Sequence, residues 1–405
     1  MNIWWINQHA GAPDDAGHTR HYSLAYYLTK QGHKVTLVTS DFNYFSLKKR
    51  VTQSIGRFTH EEINRVDYLW VREVPYRPNY FYRLLSMFAF AHMCKELVHV
   101  PQLTKPDIII GSSPPLFAAD AARKLAKKLN VPFVLEVRDI WPMAIMSLKK
   151  VSAWHPLMLY MKMIEKRLYK HAAGIISIMP KFSTYLKDEG IVAGNIKYIP
   201  HGIDYELFSG AADMVQKDKL TIIHAGKFAV ANHLSVVLEA AKILQANHPD
   251  LPIEFWLIGE GVEKQTLLKQ AQQYHLKRVK FFDPLPKNQI YAFLQQADAF
   301  LLHVKCADVY RYGATTNRLS DYLASGRPLI YAFSSNSYDP VTLSQCGLSI
   351  PSEDPKALAE AAIALYQLPF HDRVQMGERA MSYAKMHHNL AVLAEELSDF
   401  LQQCV

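Results

Sequence analysis

Arg318 and Asp321 stand three residues apart in "VYRYGATTNRLSDYLASGRPLI", residues 309–330, with Asn317 just ahead of them. Read as a helix, the stretch puts the three polar residues on one face. Two chemistries fit. One is a surface ion pair, worth a few tenths of a kcal/mol. The other is an anion site, in which a helix opening behind Gly313 turns free N–H groups, Thr316 and Arg318 toward a ligand. Comparable loops recur along the chain. "GKFAVANHL" carries Lys227 and His233 after an apolar strand, and "LIGEG" ends another in Gly259, Glu260 and Gly261. A Gly-Glu-Gly turn admits close backbone approach. "DDAGHTRHY" is a glycine-containing loop with Gly17 and His18 that opens a helix at Arg20 and His21. In "EVRDIWP", Arg138 and Asp139 read either as a structural pair, with Asp139 capping the next turn, or as residues of a ligand cleft.

Other chemistries find no support. The chain has no Asp-x-Asp, and no metal site is expected. "GSSPP" at 111–115 lacks a nucleophile elbow. What is left is stabilisation of negative charge by fixed cations and dipoles.

The elements that must position these residues alternate regularly. "NIWWIN", "KVTLVTS", "PDIIIGSSPP", "PFVLEV", "GIISI" and "IKYIP" read as apolar strands, separated by helical stretches such as "LFAADAARKLAKKLN". A Pro-His-Gly turn in "IPHGIDYELF" interrupts the series, which restarts with "LTIIHAG", "IEFWLIGEG", "VKFFDPLP", "AFLLHV" and "PLIYAF". Near-continuous Ile/Val/Leu strands with helical crossovers imply parallel sheets covered on both faces. The fold class is α/β, with two doubly wound Rossmann-like domains. Residues 1–200 form the first and 201–384 the second, and a C-terminal helix from about 385 to 405 packs back on the first. In such sheets ligands bind beyond the carboxyl ends of the strands, which is where every loop named above lies.

A length of 405 residues suits two domains, and 49% hydrophobic with 20% charged residues excludes a disordered chain. Four scattered cysteines argue for a reducing compartment. The start "MNIWWINQHAG" reads as having no signal peptide, and "LLSMFAFAHMC" is too short to span a bilayer. The net charge of +8 is divided unevenly: residues 1–200 carry +12 and residues 201–405 carry −4. A basic half invites nucleic acid, an anionic membrane or small anionic substrates.

The order of elements, together with "EVRDIWP", "IPHGID", "LIGEG" and "YGATTNRLSDYLASGRP", resembles a retaining glycosyltransferase of family 4 with the GT-B fold, in which two domains face across a cleft. The bacterial surface-polysaccharide branch, with its L-fucosamine and colanic-acid transferases, is the most similar. The resemblance implies that Asp321 bonds the ribose of a nucleotide-sugar, where the family usually has Glu. It implies that Arg318 and Lys227 contact the diphosphate. His233 stands where the family has a second cation, and Gly313 where it has a second Glu. The donor sugar would then be met by the 313–316 loop, including Thr315 and Thr316, with Asn317, Gly259 and Glu260 nearby. The backbone at Pro284 and Leu285 would read the base. Gly17 and His18 would face the diphosphate, Arg20 and His21 the acceptor or a phosphate, and Arg138 with Asp139 the reacting centre.

The activity implied is a metal-independent hexosyl or acetylhexosaminyl transfer from a UDP-sugar, with no cofactor, onto a lipid-linked precursor of a lipopolysaccharide, capsule or exopolysaccharide. A nucleotide-sugar epimerase of the same shape is the alternative enzyme, with Asp14, Asp15, Glu136 and Asp139 as acid/base candidates. A basic nucleic-acid or scaffold protein is the alternative of another class; no nucleic-acid partner is expected, because no binding signature occurs. The expected location is the cytoplasmic face of the inner membrane. There "SLKKVSAWHPLMLYMKMIEKRLYK", residues 147–170, would set Lys149, Lys150, Lys162, Lys166, Arg167 and Lys170 against anionic lipid, joined by the aromatic run "YFYRLLSMFAF". Its apolar residues Trp154, Leu157, Met158, Met161, Ile164 and Leu168 fall at helical spacing as one stripe, with Glu165 the lone acid.

Overall fold

The computed structural model describes residues 1–15, 19–43, 46–51, 56–73, 79–206, 208, 210–285, 287–313, 316–333 and 338–405. The chain forms two units: Met1–His201 with Leu390–Val405, and Gly202–Asn389. The boundary falls in the Pro-His-Gly turn. The return to the first unit begins at Leu390, so the helix Phe370–His387 stays with the second.

The first unit holds an eight-stranded sheet. Its spatial order is Asn195–Tyr198, Gly174–Ser177, Phe133–Val137, Ile108–Ser113, Asn2–Ile6, Lys34–Ser40, Val66–Val71 and Phe58–Ile63. All neighbours run parallel except the last pair. The strand order reverses between Asn2–Ile6 and Ile108–Ser113, which makes the carboxyl ends of these two strands the ligand position of the fold. Both strands are buried almost throughout, as their unbroken Ile and Trp runs require of a sheet covered on both faces. The helix Leu390–Gln402 packs Leu393, Leu397 and Leu401 into the same core as Leu24 and Leu28 of helix Arg20–Lys30.

The second unit holds six parallel strands in the order Val279–Phe282, Ile253–Ile258, Leu220–Ala225, Ala299–His303, Leu329–Ala332 and Gly347–Ile350. Here the order reverses between Leu220–Ala225 and Ala299–His303.

Among the described residues five strands were not expected: the short antiparallel pair Phe42–Asn43 and Lys48–Lys49, and three strands of the two main sheets. Phe58–Ile63 and Val66–Val71 form a hairpin at the sheet edge, joined by Asn64 and Arg65, both at positive φ (49° and 69°). That is the backbone of a tight two-residue hairpin turn, usually announced by Asn-Gly. With Arg in the second place and acids within the strand, the alternation is masked. Gly347–Ile350 is an edge strand of only four residues.

The 147–170 segment is also a correction. It is two helices, Met143–Lys149 and Pro156–His171, separated where Lys150 turns to positive φ. Met158, Met161, Ile164 and Leu168 are buried as a stripe, but Trp154 precedes the second helix and is 83% exposed. Glu165 is not a surface acid: it is buried and accepts hydrogen bonds from the hydroxyls of Tyr169 (2.9 Å) and Tyr185 (2.6 Å). Lys162 is held by Glu189 at 3.0 Å.

Candidate functional site

The carboxyl ends of the two central strands of the second unit carry histidines, His224 and His303, and both are struts. His224 donates from Nδ1 to the carbonyl of Leu301 (3.1 Å), leaving Nε2 to accept from Nη1 of Arg318 (2.9 Å). Burial first, and Arg318 second, hold its pKa well below the usual range, so the ring is neutral and in the tautomer that can accept. His303 donates from Nδ1 to the carbonyl of Asn232 (2.7 Å) and accepts at Nε2 from the backbone N–H of Glu353 (3.0 Å). The side chain of Asn232, thus fixed, accepts from Nη2 of Arg318 (2.8 Å) and donates to the carbonyl of Lys227 (2.5 Å).

Arg318 is therefore gripped by two neutral partners, and among the described residues no carboxylate lies within ion-pair distance of it. The ion pair with Asp321, the alternative reading of this stretch, is replaced by these contacts across the sheet end. The guanidinium lies directly against Gly226: a Cβ there would come within 2.9 Å of its Cδ, and φ at Gly226 is +154°. Gly259, at φ +150°, explains itself in a similar way. A Cβ would sit 1.9 Å from the carbonyl oxygen of Gly226, so the approach this glycine permits is between two strand-end loops. Lys227, next in sequence, is exposed at the rim.

Around this cation lie the other expected residues. Thr316 caps the helix Asn317–Ala324, its side chain accepting from the N–H of Leu319 at 3.3 Å. Asn317 is exposed, and Gly313 is buried at φ +78°. Asp321 is half-buried and accepts from the hydroxyl of Tyr291 at 3.2 Å. Tyr322 on the same helix is buried, accepting from the N–H of Ala225 (2.8 Å) and donating to its carbonyl (3.2 Å). Glu260 is exposed and meets Lys264 at 2.8 Å, while Lys264 also holds Asp283 at 2.7 Å. Pro284 is exposed, and Leu285 packs partly on the core. Thr315 lies outside the described residues, as do Gly17 and His18. His233 is a correction: its Nδ1 stands 2.5 Å from Oε1 of Glu353, so it is tied to a carboxylate rather than offered as a second cation.

In the first unit Arg20 and His21 are corrections too. Both are buried beneath the strand ends. Arg20 donates from Nε to Oε1 of Glu136 (3.1 Å), from Nη2 to the carbonyl of Ile199 (2.8 Å) and from Nη1 to that of Pro200. His21 meets the other carboxylate oxygen of Glu136 at 2.8 Å, and Ser112 donates to that oxygen at 2.5 Å. Burial would raise the pKa of Glu136, but His21, Arg20 and Arg138 outweigh it and hold the carboxyl well below its usual range. Each guanidinium nitrogen of Arg20 makes an internal hydrogen bond and both residues are buried, so neither is presented to an acceptor, and Glu136 is withdrawn as an acid/base candidate. Arg138 and Asp139 follow the strand Phe133–Val137 and are half-buried. Burial pushes Asp139 up to about 6 against the opposing hydrogen bonds and the charge of Arg138.

His224, Asn232, His303 and Tyr291 were not anticipated. The one signal was the recurrence of His at the ends of "LTIIHA" and "FLLH".

Residues 18–207 match the family described as Glycosyltransferase Family 4, and residues 212–383 the one described as Glycosyl transferases group 1. The chain is 26% identical over 308 residues to WcaI of Escherichia coli (strain K12), assigned as a colanic acid biosynthesis glycosyl transferase; the match spans 73% of this chain and 75% of that protein. WcaL of the same strain, assigned to the same process, is 25% identical over 239 residues, 58% of each chain. Among solved structures, sucrose-phosphate synthase from Thermosynechococcus elongatus superposes with a TM-score of 0.78 at 17% identity, over 99% of this chain and 98% of that one. Anabaena HepE in complex with UDP and glucose gives 0.70 at 14% identity, over 99% of both chains. At such identities the likeness carries the fold, which is GT-B.

Proposed function

The chain belongs to glycosyltransferase family 4, and from that premise we propose a metal-independent, retaining transferase that moves a sugar from a UDP-sugar onto a lipid-linked precursor of a bacterial surface polysaccharide. The observation that carries the reading is Arg318: a half-buried guanidinium at the switch point of the second unit, held by neutral His224 and Asn232 and lacking a carboxylate partner among the described residues. A buried cation so placed is stabilised by an anion, and the missing side chain at Gly226 is what lets the guanidinium lie there. Lys227 at the rim supplies a second charge, and the capped helix at Thr316 adds its dipole. Together they stabilise the departing nucleoside diphosphate, the position where charge develops during transfer. Asp321, oriented by Tyr291, takes the ribose.

Arg138 and Asp139 mark the side of the acceptor in the first unit. Transfer then runs on one face of the sugar: the departing phosphate oxygen takes the proton of the acceptor hydroxyl as the new glycosidic bond forms. Polysaccharide biosynthesis as the process is supported by WcaI and WcaL, and UDP as the nucleotide by the HepE complex.

A lipid-linked acceptor and a membrane surface are supported by an apolar patch in the first unit. Phe81, Tyr82, Leu85 and Phe88 on helix Tyr80–Met93 are exposed, as are Tyr160 and Met163 on helix Pro156–His171. Phe117 joins the two groups, with ring centroids 4.3 Å from Phe88 and 6.2 Å from Tyr160. Lys166 is exposed on the second of these helices, and Lys149 and Lys150 are exposed at the end of the helix Met143–Lys149. Among the described residues no helix is long and apolar enough to cross a membrane.

The test is calorimetric titration with UDP, GDP, CMP and dTDP. Binding of UDP at least tenfold tighter than the others is expected. Equal binding of all four, or none, rejects the UDP-sugar assignment.

A further inference from the structure

Loops from three strands of the second unit meet at a residue that belongs to none of the motifs above. Glu353 follows the edge strand Gly347–Ile350 and lies at φ +59°. Its backbone N–H donates at 3.0 Å to Nε2 of His303, the last residue of the strand Ala299–His303. Its Oε2 accepts from the backbone N–H of Cys306 at 2.9 Å, in the loop that follows that strand. Its Oε1 stands 2.5 Å from Nδ1 of His233, in the loop after the strand Leu220–Ala225. His233 is itself at φ +41°. Glycine is the easy occupant of a positive φ, yet both positions carry side chains, and the two side chains meet.

These contacts fix what stands between them. His303 is buried, and burial is the largest cause of its lowered pKa, which favours the neutral ring. Its Nδ1 donates to the carbonyl of Asn232 at 2.7 Å, so Nε2 is left to accept, and the N–H of Glu353 is its donor. Asn232 ends the short turn Val230–Asn232, which the N–H of Lys305 also holds through the carbonyl of Ala231 at 2.8 Å. The side-chain amide of Asn232 then serves two cationic residues at once. Oδ1 accepts from Nη2 of Arg318 at 2.8 Å, and Nδ2 donates to the carbonyl of Lys227 at 2.5 Å. One path therefore runs from Glu353 through His303 to Asn232, and a second from Glu353 through His233 to the same turn. The amide at their end is neutral, so it orients the guanidinium without cancelling its charge. The carboxylate in the relay is engaged by His233 and Cys306 instead.

We propose that Glu353 is a positioning residue of the donor site: through His303, His233 and Asn232 it sets where Arg318 and Lys227 stand against the diphosphate. The inference rests on the reading of those two cations as the diphosphate contacts. Fixed charges stabilise a phosphate in proportion to how well they are held in place beforehand, and Glu353 supplies that hold from outside the site.

The experiment uses whichever of UDP, GDP and dTDP the full chain binds most tightly, titrated by calorimetry, with the matching nucleoside titrated by ligand-observed NMR as the control. In Glu353→Ala the diphosphate is expected to bind at least fivefold more weakly while the nucleoside stays within twofold of the parent. Glu353→Gln, which keeps an acceptor for Cys306 and a polar partner for His233, should recover most of the loss. Asn232→Asp places a carboxylate against Arg318 and should weaken the diphosphate at least tenfold, again without moving the nucleoside. In an Arg318→Ala background, Glu353→Ala should cost less than twofold, because a residue that acts through Arg318 has little left to position.

Parental diphosphate affinity in Glu353→Ala overturns the role. So does an equal loss of nucleoside and diphosphate, which marks a general loosening of the fold, and so does an undiminished loss in the Arg318→Ala background. A preference for GDP or dTDP rejects UDP as the nucleotide and leaves the relay to be read with that ligand. A parent that binds none of the three rejects the donor-site reading and the relay together.

Discussion

Nη1 of Arg318 and Nε2 of His224 meet at 2.9 Å, joining the helix Asn317–Ala324 to the end of the strand Leu220–Ala225 across 94 positions of sequence. The bond works because His224 is neutral, with its own proton turned to Leu301. The cation of the proposed donor site is thus positioned by the sheet and not by its own helix.

Replacing Arg318 or Lys227 by Ala lowers turnover by roughly 10²–10³, the usual consequence of losing one preorganised stabiliser of developing charge. His224→Phe keeps the charge and loses its positioning; kcat falls by about tenfold with KM for the donor nearly unchanged. Steady-state kinetics decides, and full activity of Arg318→Ala would reject the assignment.

Asp321→Ala weakens UDP binding by roughly tenfold, about 1.4 kcal/mol, without altering the thermal transition of the free protein. Tyr291→Phe, which removes the hydroxyl that orients Asp321 at 3.2 Å, gives a smaller loss in the same direction. Calorimetry that finds parental affinity in Asp321→Ala removes the ribose contact.

Chelation leaves the parent's turnover unchanged, because Lys227 and Arg318 serve the leaving diphosphate. Inhibition by EDTA that Mg²⁺ or Mn²⁺ restores would refute the metal-independent mechanism.

Glu165 governs one pH dependence of stability. Burial is the largest cause of its raised pKa, about 7 against an ordinary 4.5, with hydrogen bonds from Tyr185 and Tyr169 opposing. Because the folded state holds this proton more tightly than the unfolded one, stability is greatest below about pH 4.5 and declines as pH rises toward 7. Glu165→Gln keeps an acceptor for both hydroxyls and removes the titration. It should stabilise the protein by ~1–3 kcal/mol at pH 8 and have little effect at pH 4.5. Denaturant unfolding at the two pH values tests this, and equal effects at both would contradict it.

Flotation with liposomes containing anionic lipid should carry the protein upward at low salt and less so at high salt. Lys149, Lys150 and Lys166 each contribute about 1 kcal/mol near such a surface, so changing all three to Gln weakens the association. Phe81→Ser with Leu85→Ser should weaken it further, since both side chains are exposed. Equal binding to neutral and anionic liposomes would show that charge plays no part, and absence of binding would reject the membrane surface altogether.

The strands and their order along the chain were legible in the sequence because parallel strands buried on both faces need unbroken apolar runs, and "NIWWI", "LTIIHA" and "AFLLH" have them. The loops of interest followed from strand ends alone, and so did the helix that opens at Thr316. The hairpin at 58–71 escaped because an edge strand is half-solvated and its turn carries Asn-Arg instead of Asn-Gly. The fate of individual polar side chains was decided only by the tertiary structure. Arg20, His21 and Arg138 look alike in sequence, as cations near strand ends. Folding buries the first two against Glu136, Ile199 and Pro200, and leaves Nε of the third without a hydrogen-bond partner among the described residues. His224, Asn232 and His303 carried no local mark of their role either. A hydrogen bond between residues some 90 positions apart depends on which strands become neighbours, and local sequence pattern does not encode that pairing.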